Sequence, residues 1–213
     1  GDLGAQLAAT LRATERLQAL AQRYGTDRLV AYMAEVMDYS ERLMRAALAD
    51  LPDGEGTFED FCDGDGIPDN ADGSDAPFWI RMRVTKTGDR VLVDFAGSDP
   101  QVKGPINAPL SVSASGVFCG LKMSVDPNGL IPPNSGAWRT IEVKAPKASV
   151  VNAEFPAPVV YANHEISHRV ADMVMGALVS FWPGQVMACS QGTSAGDAGP
   201  SPDGIRRFRE ATA

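Results

Sequence analysis

Apolar residues recur at steps of three and four up to Pro52 and at steps of two in the region that follows. Leu3, Leu7, Leu11, Leu17, Leu20 and Tyr24 form the first stripe, with Thr14 filling a place in it, and this spacing predicts an amphipathic helix. Gly25 ends that helix, and Thr26 or Asp27 is placed to cap a second. Its stripe of Leu29, Met33, Val36, Met37, Leu43, Met44, Ala47 and Leu48 runs until Pro52-Asp53-Gly54 stops it. The two make a long helical hairpin. A hairpin alone cannot cover both stripes, so part of them is expected to pack on the following region or on a missing partner. The methionines of the second stripe read as core, because methionine fills irregular gaps.

From Gly56-Thr57-Phe58 the period becomes two. Phe78 to Val84 alternates, Thr87-Gly88-Asp89 is a turn and Arg90 to Phe95 alternates again, which predicts an antiparallel hairpin. Gly97 to Pro100 and Gly104 to Pro109 are too rich in Gly and Pro for regular structure, and a long loop with apolar residues at intervals usually lines something. Leu110 to Met123 predicts a helix of small residues suited to close packing, and Ile131-Pro132-Pro133-Asn134-Ser135-Gly136 turns the chain. Trp138 to Val143 and Ser149 to Val151 predict strands, and Ile166 to Phe181 a buried helix. The fold class is α+β: an N-terminal long helical hairpin, then a mixed, largely antiparallel β region with packed helices. The expected division is a hairpin over 1–54, an α/β core over 55–193 and an irregular tail over 194–213.

With 213 residues, 44% hydrophobic and 22% charged, the chain has the composition of a folded protein. A net charge of −8 disfavours nucleic acid, whose phosphates need clustered Lys and Arg. The short basic run Arg206-Arg207-Phe208-Arg209 reads as a solvated tail or partner contact. No apolar run of about eighteen residues and no secretory leader is present, so no membrane contact is expected and a cytoplasmic location is the default. Gly1 opens on an already amphipathic pattern, which reads as a segment of a longer chain. Cys62, Cys119 and Cys189 are odd in number and widely spaced, the pattern of reduced thiols with two of them buried.

Two motifs suggest metal. His164-Glu165-Ile166-Ser167-His168 spells H-E-x-x-H, which on a helix puts two imidazoles on one face beside a carboxylate, as in a zinc hydrolase. A hydrolytic zinc also needs a third protein ligand. The chain has only these two histidines, so the expectation is that no zinc site forms. Asp63, Asp65, Gly66, Asp69 and Asp72 follow an EF-hand-like register, but Phe61 stands where the first carboxylate belongs and Asp72 where a bidentate Glu belongs. A noncatalytic assembly or calcium-binding module therefore remains an alternative. No P-loop, dinucleotide fingerprint or nucleophile elbow appears, so ATP is expected on a partner.

Several blocks in order carry a family resemblance. They are Val93 to Pro109, Ile131 to Gly136, Asn163 with Glu165 and Ser167, Asp172 to Leu178, and Ser190-Gln191-Gly192-Thr193. With them go Gly1-Asp2-Leu3, Ala5-Gln6, Tyr32-Met33 and Asp38 to Arg42. This series resembles the hydantoinase B/oxoprolinase family over nearly the whole chain, and Ser194 to Pro200 departs from its pattern. The resemblance implies a B-type subunit or domain that acts with a nucleotide-binding hydantoinase A-type partner and ATP to open a small cyclic amide such as a hydantoin or 5-oxoproline. Related members are ketone carboxylases, whose His/Asp-rich divalent-metal region falls upstream of Gly1, so ATP and a divalent metal belong to the complete complex and none is expected on this segment. The segment alone is expected to be inactive and to self-associate through its uncovered stripe. Within it, polar residues set among Gly, Pro and apolar neighbours are the candidate site: Asp94 at a strand end, Asn107 in the Gly-Pro loop, and Asn163 and Glu165 at a helix start. Each also has a structural reading, as helix cap, loop-amide acceptor or turn stabiliser.

Overall fold

The computed structural model of the protein describes residues 1–68, 73–184, 186 and 188. Helix α1 spans Asp2–Tyr24 and α2 Thr26–Ala49. Strands β1 (Gly54–Cys62), β2 (Phe78–Thr87) and β3 (Arg90–Asp94) follow, then α3 (Leu110–Val125), a 3-10 turn at Ala137–Thr140, β4 (Ile141–Lys144) and α4 (Ile166–Leu178). The mixed sheet has the order β1-β2-β3-β4. β1 pairs antiparallel with β2 from Gly54↔Lys86 to Cys62↔Phe78, β2 antiparallel with β3, and β3 parallel with β4 from Val91↔Ile141.

The period of two decides which face of the sheet is inside. Phe78, Ile80, Met82 and Val84 of β2 and Val91 and Val93 of β3 are buried in one core with Ile166, Val170, Val174 and Leu178 of α4. Burying such side chains contributes about 1.5–3 kcal/mol each. Lys86 continues the inward row of β2 and is only 2% exposed. Its buried ammonium donates to the Leu51 carbonyl and to Asp53 Oδ1, the latter at 2.8 Å.

The small residues of α3 do what their pattern predicts. A Cβ on Gly116 would lie 2.7 Å from the Ser167 carbonyl oxygen, and one on Gly120 2.6 Å from that of Ala171. The backbones of α3 and α4 therefore touch only because both positions are glycine. α4 is held on its other side by β1, where a Cβ on Gly56 would meet the Ala177 carbonyl oxygen at 1.9 Å.

Both N-terminal helices form where the periodicity puts them, and they differ in what they bury. α1 has no buried residue, and nothing before Ser40 in α2 is buried. The C-terminal end of α2 is seated by Met44 and Leu48, by Asn134 Nδ2 donating to Ser40 Oγ at 2.8 Å, and by Arg139, which reaches Asp38 and Glu41 at 2.7 and 2.9 Å.

Two expected strands are shorter or absent. The Asn134 carboxamide oxygen accepts from the Gly136 amide at 2.9 Å and winds the chain into the 3-10 turn, with Trp138 stacked on Phe118, so extended structure starts only at Ile141. Ser149 to Val151 makes isolated bridges to Pro100 and Asn152 in place of a strand, beside Ala148 at φ 54°. Cys62 is buried and Cys119 exposed, while Cys189 lies outside the described residues. No described helix is long and apolar enough to cross a membrane.

Candidate active site

Three irregular segments that are far apart in sequence meet where α4 begins, and their polar side chains explain why. The Gly-Pro loop is folded around Asn107, which is fully buried. Its Oδ1 accepts from the Val102 amide at 2.7 Å. Its Nδ2 donates to the carbonyls of Val102, Gly104 and, across the chain, Pro158 at 2.9–3.0 Å. The Tyr161 amide donates to the Pro105 carbonyl at 2.9 Å, which fixes the segment leading into α4 on the same loop.

The acidic segment joins from the other side. Asp65 is buried, with Oδ2 accepting from the Gly104 amide at 2.6 Å and Oδ1 from the Ile67 amide at 2.9 Å. The approach requires glycine at 104, where a Cβ would sit 2.0 Å from the Asp65 carbonyl oxygen. Asp75 Oδ2 accepts from the Gly66 amide at 2.6 Å and closes the base of this hairpin loop. Carboxylates of the stretch that suggests calcium in the sequence are thus engaged by backbone amides. Asp69 and Asp72 lie outside the described residues.

Together these segments line a cleft of about 480 Å³ bounded by Asp65, Ile67, Pro105, Ile106, Tyr161 and Glu165. Glu165 is the N-cap residue of α4 and lines the cleft at the helix start, where the positive end of the helix dipole favours a carboxylate. Asn163 is exposed and does not line the cleft. Its backbone carbonyl accepts from the Ser167 hydroxyl at 2.8 Å. Asp94 is elsewhere, at the end of β3 opposite Arg83. It lines a depression of about 600 Å³ on the outer face of the sheet with Arg81, Arg83 and Glu59, and its Oδ1 accepts from the Ala96 amide at 2.9 Å. Of the four candidates, Glu165 lines this cleft, and Asn107 is buried in the loop that carries two other lining residues, Pro105 and Ile106.

The H-E-x-x-H spacing does not have its helical meaning here. α4 starts at Ile166, so His164 lies in the preceding turns while His168 is on the helix and exposed, and the two rings do not share a helix face. Among the described residues, no group of three or more His, Cys, Asp or Glu is arranged to hold a metal. Behind the cleft Arg169 is salt-bridged to Asp60, and burial pushes the neighbouring Cys62 thiol up to about 11.

Sequence reasoning singles out Glu165, and Asn107 in the supporting loop, but does not single out two further residues that line the cleft as part of it. Asp65 carries a signal that points to calcium, and Tyr161 carries none, since its place depends on a hydrogen bond to Pro105 across the fold.

The profile of the hydantoinase B/oxoprolinase family matches residues 1–202. A relative from Pseudomonas sp. (strain NS671), named as the B-type component of a D-/L-hydantoinase, is 37% identical over 193 residues, 88% of this chain and 32% of that protein. The beta chain of the caprolactamase of Pseudomonas jessenii is 35% identical over 191 residues, 88% of this chain and 31% of that protein. The crystal structure of the ATP-dependent caprolactamase from Pseudomonas jessenii superposes with a TM-score of 0.74 at 33% identity, covering 98% of this chain and 35% of that one. Nucleotide-free acetone carboxylase shares the fold, with a TM-score of 0.66 at 16% identity over 87% of this chain and 25% of that one. The chain thus spans about a third of the length of these two curated relatives, both of which are named as subunits. On the family profile, the ordered motifs and the shared fold, this chain belongs to the hydantoinase B/oxoprolinase family.

Proposed function

We propose that this chain is the part of a B-type subunit that binds and orients a small cyclic amide during its ATP-dependent opening, with ATP handled by a hydantoinase A-type partner. The observation that supports this reading best is the cleft at the start of α4, where the acidic segment, the Gly-Pro loop and the helix start converge and place Glu165 in one lining with Asp65.

The chemistry suits the arrangement. An unstrained lactam resists water, and phosphorylation of its amide oxygen by ATP makes the ring carbon electrophilic. Water then adds to that carbon, the C–N bond breaks as the ring nitrogen leaves with a proton to give an open-chain acyl phosphate, and a second water cleaves this to the carboxylate and phosphate. Glu165, in the cleft lining, takes the proton from the first attacking water. Asn107 is a positioning residue, since its amide hydrogens are shared among backbone carbonyls and it acts by holding the loop that carries Pro105 and Ile106. Asp94 and Asn163, which lie outside the cleft, are assigned no step in this reading.

The test uses the full-length subunit with its A-type partner, ATP, magnesium, and hydantoin, 5-oxoproline or caprolactam, following ring opening and phosphate together. Glu165→Gln is expected to lower kcat at least ~100-fold with little change in KM, in the range typical of general-base loss. Wild-type kcat in Glu165→Gln would remove Glu165 from the chemistry. Turnover by the 213-residue chain alone would overturn the division of labour.

A further inference from the structure

We infer that the cleft at the start of α4 takes cyclic amides whose ring carries no carboxylate, so that uncharged lactams and hydantoins are its substrates and 5-oxoproline is not. The inference rests on the proposed reading of the cleft as the amide site and names the class of ring it admits.

It starts from what the walls carry. Among the described residues, the lining holds two carboxylates, Asp65 and Glu165, and otherwise only Gly, Pro, Ile and Tyr. The segment that forms one wall is acidic throughout, with Asp63, Asp65, Asp69, Asp72 and Asp75 and neither Lys nor Arg from 63 to 75. Basic residues that are near in sequence lie outside the lining. Arg169, one helical turn beyond Glu165, is salt-bridged to Asp60, while Lys103 and His164 adjoin the lining segments without joining them.

Size turns this charge into selectivity. A cleft of about 480 Å³ is comparable to a sphere roughly 10 Å across, about the screening length at ~0.1 M salt, so an anion inside it is felt by both carboxylates. In 5-oxoproline the acid group is on the ring carbon beside the nitrogen, and it stays close to the carbonyl carbon that Glu165 serves in the proposed reaction. The phosphoryl group on the activated amide oxygen arrives with the partner and its metal, which meet its charge. A ring carboxylate adds a further negative charge that these walls oppose, and like charges set together are an effective means of rejecting a ligand. An uncharged ring meets Ile67, Pro105, Ile106 and Tyr161, whose apolar surfaces suit its methylene groups.

The test uses the full-length subunit with its A-type partner, ATP and magnesium, and compares 2-pyrrolidinone with 5-oxoproline, the same ring without and with the acid. 5-Oxoprolinamide is the uncharged control of equal size, and hydantoin with hydantoin-5-acetate makes a second pair. Each uncharged ring should show kcat/KM at least ~10-fold above its acid counterpart, mostly through KM. Ile67 is 38% exposed, so Ile67→Arg places a cation at the cleft without opening the core. That variant should bring the ratio close to one, whereas Ile67→Gln should keep it. Turnover of 5-oxoproline as fast as 2-pyrrolidinone, with Glu165→Gln still lowering kcat, would overturn this inference and leave the reading of the site standing. Rejection of 5-oxoprolinamide along with 5-oxoproline would overturn it by making size the barrier, and an unchanged ratio in Ile67→Arg would do so by placing the discrimination elsewhere in the subunit. Turnover of none of these rings, or wild-type kcat in Glu165→Gln, would remove the reading of the site and the inference with it.

Discussion

Replacing Asn107 by alanine removes the one side chain that ties the Gly-Pro loop to itself and to the segment before α4. The side chain accepts one backbone amide and shares two hydrogens among three carbonyls, and the residue is fully buried. At about 1 kcal/mol net for each of three to four bonds, the loss is about 3–4 kcal/mol. For a chain of this size that lowers Tm by roughly 6–16 °C. Urea denaturation followed by tryptophan fluorescence measures it, with Asn163→Ala as the control. Asn163 is exposed, and it is its backbone carbonyl that accepts from Ser167, so that control should stay within about 0.5 kcal/mol of the parent. Asn107→Asp keeps the acceptor but turns an ionised oxygen toward carbonyl oxygens. It should be no better than alanine at neutral pH and should recover part of the loss near pH ~4, where the protonated acid can donate. A loss below about 1 kcal/mol in Asn107→Ala would show that the loop is held by something other than this amide.

Asp126 makes stability depend on acid. Burial alone would raise its carboxyl, but Lys122 and the amides of Ile131 and Leu130 together outweigh that and hold it below the usual value. Its contribution is therefore complete above the unfolded value of about 3.9 and is lost as pH falls through the lowered folded value, whereas Asp126→Asn should cost about 2 kcal/mol at pH 7 and flatten that part of the profile. Thiol labelling separates the cysteines: in a Cys189→Ser background a maleimide at pH ~7.5 should modify exposed Cys119 and leave Cys62, buried and raised to about 11, unmodified until the chain unfolds. Rapid labelling of both in the folded chain would contradict the packing of β1 against α4.

The parts of this fold that are legible in the sequence are those set by local period. α1, α2, β2, β3, α3 and α4 all follow apolar spacing that one face of a helix or strand imposes, whatever lies opposite. The misreadings occur where a distant partner decides. Trp138 to Thr140 looks extended by composition and is wound into a 3-10 turn because Asn134 caps Gly136 and Trp138 stacks on Phe118. The seam between Ser149 and Pro100 is a loop crossing rather than a ladder. The same division holds at the site. Glu165 and Asn107 stand out as polar residues among Gly, Pro and apolar neighbours. The role of Asp65 requires knowing that Gly104 approaches it, thirty-nine residues away, and no spacing rule contains that contact. The histidine pair fails for a local reason: with Glu165 as the N-cap of α4, His164 falls outside the helix on which the motif depends.

The placement of Glu165 follows from packing on three sides of α4. Gly116 and Gly120 let α3 approach backbone to backbone, Gly56 lets β1 do the same on another side, and the inward residues of β2 fill the face toward the sheet. These contacts leave the helix little room to slide or rotate, because at the glycine positions its own carbonyls face the main chain of α3 and β1 rather than side chains that can change rotamer. The helix start is therefore a fixed point, and the loops bearing Asp65, Pro105 and Tyr161 are folded onto it by buried polar bonds rather than by apolar contact. Apolar contact alone would let such loops repack. Directional bonds to backbone amides define a single arrangement, which is what the proposed orienting of a small cyclic amide beside Glu165 would demand.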